Sequence, residues 1–207
     1  MLDFEPVRQG KQTLADLARD LAPADLHHLT DEMIDTVLSI IEGVTAADVV
    51  FVPEDPAAND TFGKAEEGNL AWTLGHVIVH ATASSEEAAA LSSRLARGIE
   101  IEGRSRYETD WRTVRSVAQV RQRLEESRRM RHAFLNTWPD EAHLDVLYNG
   151  FASYGPMNAV ARFLLGLMHE DSHLEQMREI IRQAHEGYAV APRRSSRLSG
   201  LLPFLRK

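Results

Sequence analysis

Apolar residues recur at helical spacing over four long stretches of this chain, and no stretch alternates as a strand must. Residues 29–44 (LTDEMIDTVLSIIEGV) read as the first long helix, with Thr30 as its N-cap and Asp31 and Glu32 in the first turn. Residues 70–97 read as the second, with Leu74, Val77, Ile78, Ala81, Ala88, Leu91 and Leu95 on one face. Residues 113–138 read as the third, arginine-rich on its outer face. The fourth opens at Pro156, a natural first-turn proline, and ends at Gly187. A short helix is expected over residues 13–21, followed by a break at Pro23. Residues 45–69 and 139–155 read as long loops, and the VVFVP stretch at 49–53 is the lone strand candidate, with nothing to pair with. Four long helices with long connections predict an all-α fold, a four-helix bundle. At 207 residues, a single domain is the default, its core at about 25–186. Residues 187–207 carry Arg193, Arg194, Arg197, Arg206 and Lys207 and no acid; they read as a loosely docked basic tail, with a membrane-surface or partner contact as the lesser reading.

Composition narrows the chemistry. The chain has nine histidines and no cysteine, so thiolate metal sites, iron–sulfur clusters, disulfides and a cysteine nucleophile are excluded. The formal charge of −8 argues against a general nucleic-acid binder. No apolar run reaches the roughly 18 residues of a membrane span, and MLDFEPVRQGKQT lacks a signal-peptide apolar region, so a cytoplasmic protein is expected. No G-x-S-x-G and no glycine-rich phosphate loop occurs.

The histidines carry the functional signal. His169 and His173, at i and i+4, share one helix face and can reach one metal ion. At about 100° per residue they align with Asn158, Arg162 and Gln176 in one polar line, offset from the stripe Phe163, Leu167, Leu174, Met177 and Ile181. Residues 159–168 are apolar almost all round, hence buried, and Arg162 sits alone among them. A buried arginine needs a partner or a ligand; Glu66, Glu67 and Asp145 are candidate partners. The polar line is expected to border an internal cavity, the alternative being an arginine and two histidines satisfied by the loops. On the second helix His80 lies nearer the core stripe than His76 and is the better third ligand. Glu170 points towards the apolar side, either as an acid/base or imidazole-orienting group or as an interhelix ion-pair residue.

Trp72-Thr-Leu-Gly-His-Val-Ile-Val-His80, followed far downstream by His169-Glu-Asp-Ser-His173-Leu-Glu-Gln176, resembles the DinB/YfiT-like family, with its W-[ST]-x₆-H and H-x₃-H-x₂-Q pattern. The likeness covers roughly residues 25–186. It implies an up-up-down-down four-helix bundle and a site of His80, His169 and His173 for a divalent transition metal: zinc, nickel or iron. Relatives of this fold include transferases and isomerases that use a low-molecular-weight thiol. On that basis Arg162 would bind a carboxylate of the thiol or of a small-molecule substrate, Asn158 and Gln176 would belong to the cofactor wall, and Tyr148, Asn149 and Tyr154 would close the mouth. Such bundles often pair as homodimers. The HExxH string His169–His173 is also the zinc-protease pattern, but no sheet accompanies it and a metzincin's third histidine is missing. A dinuclear carboxylate site lacks its second Glu-x-x-His. A non-catalytic bundle, with a structural metal or none, is the alternative to the enzyme.

Overall fold

The computed structural model describes residues 1–56, 58 and 68–190. Among them are eight α-helices: α1 (Glu5–Arg8), α2 (Leu14–Ala18), α3 (Pro23–Ile40), α4 (Ala46–Val49), α5 (Leu74–Ala96), α6 (Val117–Leu135), α7 (Ala159–Ser172) and α8 (Leu174–Val190). Trp111–Thr113 and Ala152–Tyr154 are single 3₁₀ turns. No strand forms among the described residues; one isolated bridge joins Tyr148 to Met157. Residues Glu66 and Glu67 and most of the basic tail lie outside the described part.

All four expected long helices are present, with their ends moved by capping chemistry. Pro23 does not break the first. It occupies the first turn, where no intrahelical N–H is lost, and the Asp25 carboxylate accepts from Ala22 N at 2.8 Å. Thr30 is consequently not a cap but a buried residue of α3, donating its hydroxyl to Leu26 O at 2.9 Å. Pro156 does not open the last helix, because Asn158 caps it instead, accepting from Ala161 N at 3.0 Å. The VVFVP stretch is not a strand: Thr45 and Asp48 form a capping box that starts α4 there. The last helix runs past Gly187 to Val190 and breaks at His173, whose N–H bonds to Glu170 O at 3.0 Å in a tightened turn.

α5 is the central element, its residues buried along most of its length. It packs most extensively on α7 and next on α6, while α3 covers α6 and α7, and α2 lies on α7. Phe4, Val7, Leu14 and Ala18, ahead of the expected core, are buried in the same apolar cluster as Ile78, Leu91 and Leu164. At the α5–α7 crossing, a Cβ on Gly166 would lie 2.5 Å from Ala88 Cβ and 3.0 Å from Ser85 Cα. Glycine lets the two backbones approach this closely. Ser85 Oγ donates to Gly166 O at 3.0 Å and to Glu170 Oε2 at 2.9 Å, which pins the crossing.

Glycine to alanine within a helix normally adds stability, by up to about 1 kcal/mol. Here Gly166→Ala is expected to cost about 1–3 kcal/mol through overpacking, and Ala88→Gly in the same chain to recover part of it. Denaturant unfolding of the single and double variants measures both; a stabilised Gly166→Ala would contradict the close crossing.

Candidate metal centre

The α5–α7 crossing sets three imidazoles against one another. Thr73 caps α5 through His76 N at 3.2 Å, which starts the helix two turns before His80. His169 ends the last full turns of α7, and His173 sits at the break before α8. His80 Nε2 and His169 Nε2 lie 3.3 Å apart, and one nitrogen from each of His80, His169 and His173 falls within 4.8 Å of the others. Nitrogens bound to one tetrahedral zinc at about 2.1 Å are about 3.4 Å apart. The donor set therefore fits a single metal ion with little movement, and a three-imidazole set leaves a coordination position for another ligand.

Neighbours fix the rings. Gln176 Oε1 and His173 Nδ1 are 2.8 Å apart; with the amide oxygen accepting, His173 keeps Nε2 for a metal. The Trp72 ring lies 4.4 Å from His80 and 5.9 Å from His173, centroid to centroid. His76 is buried and sandwiched between Trp72 and Trp111, so it supports the site without lining it. At the far side of His80, Arg106 Nη2 is 2.8 Å from Nδ1, and Glu108 Oε2 is 4.0 Å from the same nitrogen. Arg106 and Glu108 are themselves paired at 2.6 Å. An arginine N–H only donates, so His80 Nδ1 is the acceptor here; a metal on Nε2 requires a proton on Nδ1, and so requires Arg106 to move off it.

Burial holds the imidazoles neutral. Desolvation, with the nearby His173, Arg106 and Arg104 adding to it, lowers His169 to about 3. Desolvation, followed by Arg106, lowers His80 even further. Neutral imidazoles are the form that binds metal.

The cluster opens into a cavity of about 740 Å³. Trp72, Arg104, Arg106, Tyr154, Arg162 and Gln176 are among its lining residues. A more open groove of about 710 Å³ runs along α3 past His28, Asp31 and Arg178, but no convergent histidine cluster lies in it. Arg162 is 4 % exposed, as its apolar surroundings predict. Burial lowers its pKa, with the Glu87 carboxylate opposing that shift. It does not meet Asp145, which is exposed beside His143, and Glu66 and Glu67 lie outside the described residues.

Two sequence expectations are corrected. Glu170 does not line the cavity. It is fully buried, its Oε2 2.7 Å from Arg131 Nη1 and its Oε1 accepting from Arg131 Nη2 at 3.1 Å. Of the two roles open to it, the interhelix ion pair is the one it occupies, because α6 brings Arg131 to the apolar side of α7. Asn158 does not reach the cavity wall, since its amide oxygen caps α7. Gln176, Tyr154 and Arg162 do line it; Asn149 is exposed and Tyr148 lies beneath Arg162, ring centroid to Cζ 5.7 Å. Arg104, Arg106 and Glu108 escaped the sequence reading. Their spacing of two in a polar, non-helical connection was the available signal, because such residues share a side of an extended chain.

Two outcomes follow from this geometry. Glu170→Gln leaves Arg131 buried without a counter-charge and is expected to cost about 3–5 kcal/mol of stability, measurable by denaturant unfolding. The second concerns pH. A histidine whose folded pKa lies below its unfolded value of about 6.5 takes up a proton only on unfolding, so stability falls as pH drops below about 6.5. Metal-free protein should lose about 2 kcal/mol per such histidine between pH 8 and pH 5. His169→Asn should flatten the profile by about that amount, and an unchanged slope would contradict a buried neutral His169.

No helix of the described residues is long and apolar enough to cross a membrane. No curated protein and no solved structure matches the chain. A family profile described as the DinB superfamily matches residues 8–177, reaching further towards the N-terminus than the motif-based likeness and taking in every one of the three clustered histidines. This chain belongs to the DinB superfamily.

Proposed function

We propose that this protein is a metal-dependent enzyme acting on a small molecule, with His80, His169 and His173 as the ligands of one divalent transition metal: zinc, nickel or iron. The observation that carries the reading is the convergence of three imidazole nitrogens, within 4.8 Å of one another, on a cavity of about 740 Å³. A buried structural site needs no such cavity. The proposal includes the four-helix bundle arrangement of the superfamily, built from α3, α5, α6 and the broken α7–α8 helix in a single domain, and a cytoplasmic setting.

When bound, the metal would lower the pKa of a coordinated water or thiol and polarise a carbonyl. The chain's own residues do the rest. Gln176 orients His173 through Nδ1, and Arg106, paired with Glu108, contacts Nδ1 of His80 on the side away from the cluster. Trp72, with Met168 and Leu165, gives the cavity apolar wall that limits water, and Tyr154 lies at its lining beside Phe151. Because the chain has no cysteine, any thiol at the metal must be a diffusible one. A low-molecular-weight thiol as co-substrate, in a transferase or isomerase reaction, is the form we favour over simple hydrolysis. Support for it comes from the family resemblance and the room in the cavity.

His173→Ala is expected to remove most of the metal while leaving the melting temperature nearly unchanged. His173 is only partly buried, whereas α7 and α8 are held by Phe163, Leu167, Leu174 and Met177, at about 1.5–3 kcal/mol for each fully buried large side chain. Elemental analysis of untagged wild type and variant, with melting curves of both, checks this. Metal loss with early melting would indicate a structural ion. No metal in either protein after incubation with zinc, nickel or iron(II) would leave a non-catalytic bundle.

A further inference from the structure

Arg162 contributes a charge that no carboxylate among the described residues pairs with. The residue is 4 % exposed, it lies on the same cavity as His169, its Nε has no hydrogen-bond partner, and its guanidinium forms no ion pair among the described residues. The other cavity arginines differ. Arg104 pairs with Glu87 at 3.2 Å, Arg106 pairs with Glu108 at 2.6 Å, and Arg8 pairs with Asp171. The carboxylate nearest in its electrostatic effect, Glu87, is already engaged by Arg104 and by Ser105 N at 2.6 Å. The Tyr148 ring, 5.7 Å from the Arg162 Cζ, supplies a face but no anion. Burying an ionised group without a hydrogen-bonded partner is strongly unfavourable, and arginine does not lose its proton in proteins. Asn158 and Met157 hold the start of α7 in place, so the guanidinium has a fixed backbone beneath it.

We infer that Arg162 is the anchor for a carboxylate on the molecule that enters the cavity, which makes the ligand a small organic acid with its other end at the histidine cluster. The inference rests on the proposed function for what lies at that other end, but not for the anion site itself. A planar guanidinium matches a carboxylate with two parallel N–H···O bonds, and a water-poor setting strengthens them. Arg162 and His169 are seven residues apart on one helix, a rise of roughly 10 Å. The carboxylate and the end that reaches the imidazoles are therefore separated by a chain of several atoms, and acids as short as acetate cannot reach both. The paired arginines beside it add little net field, so the site selects for the position of one negative charge and not for polyanions.

The test replaces the charge with a side chain of similar length. In metal-free protein, Arg162→Met is expected to melt at or above the wild-type temperature, because an unpaired buried charge has been removed. Melting several degrees lower would mean that the fold satisfies Arg162 internally, and would overturn the inference. Zinc affinity should be the same in both proteins. Zinc-loaded wild type, titrated calorimetrically, should bind mercaptohexanoate at least tenfold more tightly than mercaptohexanol, and Arg162→Met should bind the two alike. Equal binding in the wild type, or a preference that survives the substitution, would also overturn it. Should zinc not bind at all, the metal reading fails on its own. The anion site is then decided on metal-free protein with adipate against adipamide: Arg162-dependent binding of adipate alone supports it, and no difference between the two rejects it.

Discussion

The close crossing of α5 and α7 is the constraint on which the rest depends. Gly166 has no side chain because Ala88 and Ser85 occupy that space. With the backbones this near, the Ser85 hydroxyl can bond across to Gly166 O and to Glu170. Glu170 in turn meets Arg131 from α6, whose Nε donates to Ser127 Oγ at 3.1 Å. Three helices are thus tied at one fully buried polar junction. The histidines sit on the same two helices: His169 precedes Glu170 by one residue, and His80 precedes Ser85 by five. Their spacing is inherited from the crossing.

That arrangement separates two kinds of buried charge. Arg131 and Glu170 neutralise one another, with Ser127 and Ser85 hydrogen-bonded to the pair, which suits an interior of low polarity. Arg162, on the other side of the same helix, has been left facing the cavity. One helix therefore presents an ion pair towards α6 and, towards the space beside the imidazoles, a cation with no carboxylate paired to it among the described residues. Neutral His80 and His169, the Arg162 guanidinium and apolar walls form a place where an anion or a metal gains from interactions that water would otherwise weaken.

The W-[ST]-x₆-H pattern acquires a physical meaning here. The threonine starts α5 by capping it, the tryptophan packs its ring against His76 and His80, and the eight-residue separation brings His80 round to face α7. The H-x₃-H-x₂-Q pattern has a similar logic. It spans a helix break, so that His173 turns towards the cluster while Gln176, in the first turn of α8, holds its outer nitrogen.

Much of this was legible in the chain itself. Helical periodicity determined the all-α class and the positions of α3, α5, α6 and α7, because a buried stripe must repeat with the helix turn. The apolar run at 159–168 determined that Arg162 is buried, and the i,i+4 spacing determined that His169 and His173 share a face. Helix ends were less legible, since Pro23 and Asn158 act through caps that compete with the local alternatives at Thr30 and Pro156. Only the tertiary structure decided what each polar group meets. It gave Glu170 to Arg131, used Asn158 as a cap, brought Arg104, Arg106 and Glu108 from a connection to the cavity, and left Arg162 without a counter-charge among the described residues. Periodicity specifies which face of a helix a residue occupies. Whether that face meets a carboxylate, a carbonyl or an open cavity depends on which helices cross it and how closely, and that was fixed by contacts between residues far apart in the chain.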